Sequence, residues 1–346
     1  GVSEPQDNAS LSIDKDGYLW VFISGRGRIR PGLIYKSSKP WSIDGFDEIA
    51  GTEMISPQPW YLKDKGFLLM FSKAGLGREL FFSRSSDGQE WSENIKLAGM
   101  GGHFQVSGVH GNKLATVFNY HPEGNIDKRT NVYYIQTDDL GKTWKTADDV
   151  TVEIPLTDTR SKALVKDYES EDKLVFLQDL NFDREGNPVI LVLLSRDFNP
   201  GPEGSPREWM VIYMRDRQWN FSKICESDNN HDKGSLYITN DEWRVIGSTG
   251  PGPDEWASGG EIALWVSRDE GLSWVKERDV TRNSQGNNSF VRRPLNMHRE
   301  FAAFWSDGDA EKLSVSRLFF TNEKCSRVWV LPYEMKNDLE KPVRIK

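Results

Sequence analysis

Two histidines sit where a strand hairpin could make them partners. The segment 101–134 contains GGHFQVS and then FNYHPEGNIDKRTNVYY. His103 opens one strand and His121 closes the next, so the hairpin between them brings two imidazoles to one rim. An imidazole titrates near neutrality, which suits it to take or give a proton. Lys128 and Arg129 follow directly and add positive charge. The plainer reading is that each ring bonds to backbone in a loop. His110, in the connecting turn, reads as solvated.

Other polar groups fall at comparable strand ends. Tyr168 closes VKDY, as a rim phenol or an ordinary strand-end aromatic. Arg196 ends the apolar run LVLLSRD, where a charge is unexpected. Arg207 lies in PREW, before Trp209; His231 and Asp232 lie in NNHDKGSLY; Arg292 and Arg293 lie in NNSFVRRPL. Gln58 and Trp60 open PQPWY, Arg78 follows a strand, and Arg26, Arg28 and Arg30 punctuate SGRGRIRPG. Any one of these arginines reads as a surface residue. Several at equivalent positions make a basic well, and guanidinium forks match a carboxylate, so an anionic sugar is the ligand this pattern suits.

The bulk properties narrow the choice. The chain of 346 residues carries a net charge of −8, which argues against nucleic acid or an anionic membrane as main partner. There is no Gly-rich phosphate loop, no H-E-x-x-H and no nucleophile elbow. The two cysteines, Cys225 and Cys325, form no metal spacing and read as packed thiols. No apolar run is long enough to span a bilayer. The chain begins with Gly, which fits a removed export signal and leaves room for missing upstream residues.

The elements that must position these groups are strands. Short runs such as YLWVFIS, FLLMFS, VYYIQ, VILVLLS, IALWVS, EFAAFWS and RVWVL alternate with Gly, Asp, Asn and Pro. Asp-x-x-Gly turns mark hairpins at Asp14–Gly17 and Asp183–Gly186. Segment 161–173 reads as loop with at most one helical turn. A phrase, Ser/Thr-x-Asp-x-Gly-x-Ser/Thr-Trp, recurs at 137–144 and 267–274, with a shorter copy at 85–91. Its Asp can accept turn N–H bonds, its Gly supplies a positive φ, and its Trp is expected to plug the seam to the next sheet. Six four-strand units follow, at about 8–50, 54–98, 103–155, 168–226, 231–281 and 288–334. This reads as an all-β propeller forming a single domain, 1–346, with two sandwiches as the alternative.

The turn phrase is the Asp box of bacterial neuraminidase repeats. A wider set of strings covers nearly the whole chain: SLSIDKDGYLWVF, RPGLIYKSSKPWSID, the histidine segment, NHDKGSLYI, GGEIALWVSRDEG and FVRRPLN with FAAFWSDGD. These resemble the propeller group of glycoside hydrolase family 145, to which polysaccharide lyase family 42 and ulvan lyase propellers are related. The resemblance implies seven blades and action on a terminal L-rhamnose joined α-1,4 to D-glucuronic acid, as on arabinogalactan side chains. It also implies a periplasmic or extracellular location, and the protein is expected to act as a monomer.

Within this group two chemistries divide. Hydrolases resemble one another in a His before the Asp-Asn of the first segment, and Gln6 stands there in SEPQDNASLS. Gln cannot transfer a proton, which weakens the α-L-rhamnosidase alternative. Lyase members resemble this chain in two His, a later Tyr and an Arg, which fall on His103, His121, Tyr168 and Arg196, with Arg184 a rival for the last. The resemblance thus implies β-elimination across the uronate. An Arg, Arg196 with Arg129 or Arg207, neutralises the carboxylate; His103 or Tyr168 takes the C5 proton, and His121 or Tyr168 protonates the leaving oxygen, roles that the sequence does not order. Gln58, Trp60, Arg78, Lys128, Arg129, Arg207, His231, Arg292 and Arg293 are the expected substrate contacts. No cofactor is required; Ca²⁺ is compatible with the group, but no ligand loop identifies a metal site. A third alternative is a glycan-binding propeller without catalysis.

Overall fold

The computed structural model describes residues 9–27, 29–309 and 312–346; Gln6 and Arg28 lie outside them. The chain divides into two compact units, Gly1–Asp167 and Tyr168–Lys346. Each unit contains three antiparallel sheets whose strands follow one another in chain order, except that Leu164–Lys166 of sheet three returns to pair with Thr130–Thr137. Sheet one spans residues 10–52, sheet two 55–98 and sheet three 105–166; sheets four, five and six span 174–227, 234–279 and 287–344. Among the described residues the sheets number six, the count read from the strand pattern and not the seven that the resemblance implies.

The apolar runs are continuous because sheets bury both faces. In strand Gly66–Gly75 of sheet two, Phe67, Leu69 and Phe71 pack with Trp20, Phe22 and Ile34 of sheet one. The alternate residues Leu68 and Met70 enter the core shared with Phe118, Tyr133 and Ile135 of sheet three. In the second unit, Leu191, Leu193 and Trp209 of sheet four meet Leu236 and Val245 of sheet five. Ile262 and Leu264 of sheet five pack in one core with Ala303 and Trp305 of sheet six. A side-chain period of two serves two cores at once.

The repeated turns are built as their residues demand. In all three, the Gly N–H donates to the Ser or Thr hydroxyl at 2.8 Å. Asp139 accepts from the Thr143 N–H and Asp269 from the Ser273 N–H, each at 2.9 Å. The Ser273 hydroxyl, which donates to Asp269 Oδ2, and then the Ser273 N–H stabilise the carboxylate form and pull Asp269 down to about 2. The Trp, however, packs against the preceding sheet and not the next. Trp91 of sheet two meets Phe22 of sheet one at 5.9 Å, and Trp144 of sheet three meets Phe82 of sheet two at 5.4 Å. The turn leads into the outer strand of its own sheet, so the indole faces back.

Segment 161–173 is more ordered than a loop. Leu164–Lys166 pairs with Thr130–Thr137 of sheet three, and Glu169–Glu171 forms a 3₁₀ turn. Both cysteines are free thiols, and burial pushes each up to about 12. Among the described residues no helix is long and apolar enough to cross a membrane.

Candidate functional site

The histidine hairpin lies at the end of sheet three where strand Gln105–His110 begins and strand Lys113–Tyr120 finishes. Glycines let three backbone segments converge there. Gly77 has φ +78° and faces the Gly101 carbonyl; Gly101 has φ +134° and faces the His121 carbonyl. The His103 N–H donates to the Arg78 carbonyl, and the His121 N–H to the Gly102 carbonyl, each at 2.8 Å. A side chain at Gly77 or Gly101 would hold these segments apart.

Hydrogen-bond accounting assigns the protons on both rings. The Met100 N–H donates to His103 Nε2 at 3.1 Å, so His103 Nδ1 carries the hydrogen and donates to the Asn119 carbonyl at 2.7 Å. His103 is fully buried, and desolvation lowers it to about 4. Both of its nitrogens are occupied by backbone, so it pins the segment and keeps no lone pair for a substrate.

His121 is arranged differently. Asn119 Oδ1 accepts the Phe104 N–H at 2.8 Å and must also accept from His121 Nε2 at 3.1 Å. The Nε2 therefore carries the hydrogen, and Nδ1 holds the lone pair. Among the described residues that Nδ1 has no hydrogen bond, and Gly102 faces it: a Cβ there would come within 2.9 Å. Burial, then Arg129, His103 and Arg78, lower His121 to about 3. It is a neutral base beside two cations.

Those cations flank one aromatic ring. Phe104 stands 5.0 Å from the His121 ring, with the Arg129 guanidinium 4.9 Å and the Arg78 guanidinium 5.3 Å from its centroid. Arg129 is only 8% exposed, and burial draws it down to about 10. Its Nε donates to the Ile126 carbonyl at 2.8 Å. Lys128 is exposed and lies 3.8 Å from Glu123, outside this cluster. Gln58 and Trp60 fasten sheet two to sheet three instead of facing outward. The Gln58 amide is divided between the Gln105 carbonyl and Ser107, and the Trp60 indole donates to the Ser107 hydroxyl at 2.7 Å.

In the second unit the expected residues separate by role. Tyr168 is buried, and burial, then Glu171 and Glu208, raise its phenol well above 10. Arg196 is exposed where strand Pro188–Ser195 ends. Arg207 corrects the expectation of a substrate contact. It is fully buried, and its guanidinium donates to Asn230 Oδ1 and to the carbonyls of Gly201 and Asn199 at 2.8–3.0 Å. His231 is exposed, its ring 5.4 Å from Phe176 and 6.0 Å from Phe198. Arg293 is committed to Asp179 at 3.3 Å, while Asp179 also accepts the Leu236 N–H at 2.8 Å. Arg292 is exposed beside it. Arg184 stands in the Asp183–Asn187 turn, at the opposite end of sheet four from Arg196. A polar cavity of about 340 Å³ opens at that opposite end, lined by Arg184, Arg215, Asp241 and Glu270, away from Arg196, Arg207 and His231.

Asn119, Phe104 and Gly102 escaped the sequence reading. Asn119 and His121 are two apart on one strand end, a spacing that shares a face, and this was the available signal. Among the described residues no three His, Cys, Asp or Glu side chains gather as a metal site would require.

A sequence profile described as "BNR repeat-containing family member" matches residues 3–227. An ulvan lyase from Nonlabens ulvanivorans is 23% identical over 315 residues, covering 78% of this chain and 63% of that protein, under two thirds of its length. A solved polysaccharide lyase PL25 ulvan lyase superposes with TM-score 0.78 at 14% identity, covering 92% of this chain and 80% of its own. The same enzyme has been solved bound to -[GlcA(1-4)Rha3S]- with equal similarity. The polysaccharide lyase Uly1 gives TM-score 0.64 at 12% identity over 93% of this chain and 78% of its own. This likeness shows the fold, an all-β propeller.

Proposed function

Because this chain belongs to the BNR repeat-containing family, we propose that it is a polysaccharide lyase-type enzyme acting on a uronate-containing glycan. The finer reading is β-elimination at L-rhamnose-α-1,4-D-glucuronate, as on arabinogalactan-type glycans. The relatives support the class, since an ulvan lyase is among them and one solved neighbour holds a glucuronate–rhamnose repeat. The observation that carries the chemistry is His121: a buried, neutral imidazole whose Nδ1 lone pair has no hydrogen bond among the described residues, beside Arg129 and Arg78.

The C5 hydrogen of a uronate is α to a carboxylate and acidifies only when that charge is offset. Arg129 and Arg78 supply the offset, and Arg196 keeps the place the resemblance gives it. His121 Nδ1 takes the proton; the C5 electron pair forms the C4–C5 double bond, and the bond to O4 breaks. The carboxylate that enters also cancels the positive field now depressing His121, so the base strengthens as substrate binds. The departing O4 needs a proton. The resemblance gives that role to Tyr168, whose phenol burial keeps protonated at neutral pH. Products are rhamnose and a 4,5-unsaturated uronate end. The enzyme is read as a monomer that acts in the periplasm or outside the cell.

Incubation with rhamnose-capped arabinogalactan tests this, followed by absorbance and sugar analysis. The lyase releases rhamnose together with an ultraviolet-absorbing end; rhamnose without absorbance would make it a hydrolase.

A further inference from the structure

We propose that Trp41 is a stacking platform for a neutral pyranose unit of the glycan, a polymer-holding site separate from the one that breaks the bond. This rests on the reading above, that the chain acts on a glycan, and it lies wholly within the first unit.

The turn that carries Trp41 inverts the plan of the Asp boxes. There, Gly141 stands four residues after Thr137 and Gly271 four after Ser267, with φ +75° and +89°. Each glycine is covered by a ring, since a Cβ would meet Phe82 at 2.7 Å in one and Trp243 at 2.4 Å in the other. In sheet one, Trp41 stands four residues after Ser37, with φ +56°. Its N–H donates to the Gly17 carbonyl at 2.8 Å, and not to the strand-end hydroxyl as in the boxes. Here the glycine lies under the ring: Gly17 has φ +84°, and a Cβ on it would stand 2.2 Å from the Trp41 indole nitrogen. The aromatic is thus outside the turn, resting on glycine backbone, and it is 75% exposed.

A bulky residue at positive φ costs on the order of 1–2 kcal/mol that glycine would avoid. An indole left mostly in water recovers little of that by burial. Strain of this kind persists where a side chain is needed in one place.

The surroundings define the occupant. Ile43 is 72% and Phe46 38% exposed at the same turn. Three apolar side chains fall short of the about 800 Å² per partner that a stable protein contact buries, whereas a sugar ring needs one indole face. Turns 14–17 and 38–45 carry Asp14, Asp16 and Asp44 against Lys15 and Lys39, and Lys15 is held by Asp16 at 2.8 Å. These turns have no excess of cations to hold a uronate, so the ring is a neutral one.

The platform is remote from His121. Strands Ser10–Ile13, Ile55–Leu62 and Gln105–His110 run side by side in one direction: the Ser10 hydroxyl donates to the Pro57 carbonyl at 2.7 Å, and the Gln58 amide to the Gln105 carbonyl at 3.0 Å. The histidines stand where the third strand begins, and Trp41 rests on the turn where the first one ends.

Native affinity electrophoresis tests this, in gels holding rhamnose-capped arabinogalactan or the same polymer stripped of its rhamnose. Both should retard the wild type, because the platform reads a ring face and not the cap. Trp41→Gly should bind both polymers about tenfold more weakly, the size of one lost stacking contact, and Trp41→Phe should lose less. The thermal midpoint of Trp41→Gly should hold or rise, because glycine suits the positive φ. A marked fall in that midpoint would make the indole a structural plug and overturn the platform. Equal retardation of wild type and Trp41→Gly, or none of the wild type, overturns it too. So does a wild-type dimer in light scattering that Trp41→Gly turns into a monomer, since the indole is then a contact between copies. Rhamnose release reports on the catalytic reading alone: a wild type that cleaves nothing, yet is retarded through Trp41, keeps the platform and loses the lyase.

Discussion

Asn119 Oδ1 lies 3.1 Å from His121 Nε2, and this contact settles which nitrogen of the imidazole is basic. The oxygen already accepts the Phe104 N–H, so the histidine must donate to it. The lone pair is thereby placed on Nδ1, toward Gly102. Asn119→Ala should leave the Phe104 N–H unpaired and cost about 1–3 kcal/mol of stability. It should also lower kcat more than Asn119→Asp, which retains an acceptor for both donors. Chemical denaturation and steady-state kinetics check the two effects.

Gly102 gives a sharper handle. A methyl group there would meet His121 Nδ1 at 2.9 Å and cover the lone pair. Gly102→Ala should therefore depress kcat/KM by roughly 100-fold or more, the scale of a lost general base. The thermal midpoint should fall only modestly. Retained activity in a folded Gly102→Ala protein removes Nδ1 from the mechanism.

The pH profile follows from the same ring. With His121 lowered to about 3, the free enzyme keeps its base deprotonated throughout the neutral and mildly acid range. The plot of kcat/KM should show no acid limb between pH 5 and 7. An acid limb near pH 6.5 in that profile would point to an ordinary histidine.

The resemblance assigns the other proton to Tyr168. Its raised pKa keeps the phenol protonated at neutral pH. Tyr168→Phe should lower kcat by about 100-fold on a natural glycosidic leaving group. The loss should shrink on a substrate whose leaving group needs no proton, because the hydroxyl then has nothing to supply.

Much of the fold was legible because strand periodicity and turn chemistry act locally. FLLMF reads as a strand from its apolar run between turn signals, and the Asp-box turn is written in its own residues. The direction of Trp91 and Trp144 was not legible, since it depends on where the outer strand of each sheet goes. At the site, His121 and Arg129 were visible by type and position. The division of labour between His103 and His121 was not: it turns on Met100 and Asn119, whose contacts cross between segments. Arg207 misled for a related reason. A guanidinium near a strand end looks the same in sequence whether it faces a ligand or three carbonyls.

Asp232 makes a stability prediction independent of catalysis. Burial, opposed by the Ser227 hydroxyl and two N–H groups and reinforced by Asp228, raises it from 3.8 to about 8, with Arg207 also in its field. A carboxyl raised on folding contributes stability fully below its unfolded pKa, and that stability is lost as pH climbs through the folded value. Asp232 thus destabilises progressively from about pH 4 to pH 8 and levels off above. Asp232→Asn should be relatively more stable at pH 9 than at pH 5 when compared with the wild type by denaturant titration. A constant difference across that range would mean that the carboxyl does not titrate there.

The central claim is that His121 draws a proton from carbon and no water enters the product. Cleavage of a rhamnose–glucuronate oligosaccharide in H₂¹⁸O, with product masses read directly, tests it. The account predicts a uronate end lighter by one water, absorbing in the ultraviolet, and no ¹⁸O in either product during cleavage. A saturated uronate, or rhamnose bearing ¹⁸O at the moment of release, would contradict it.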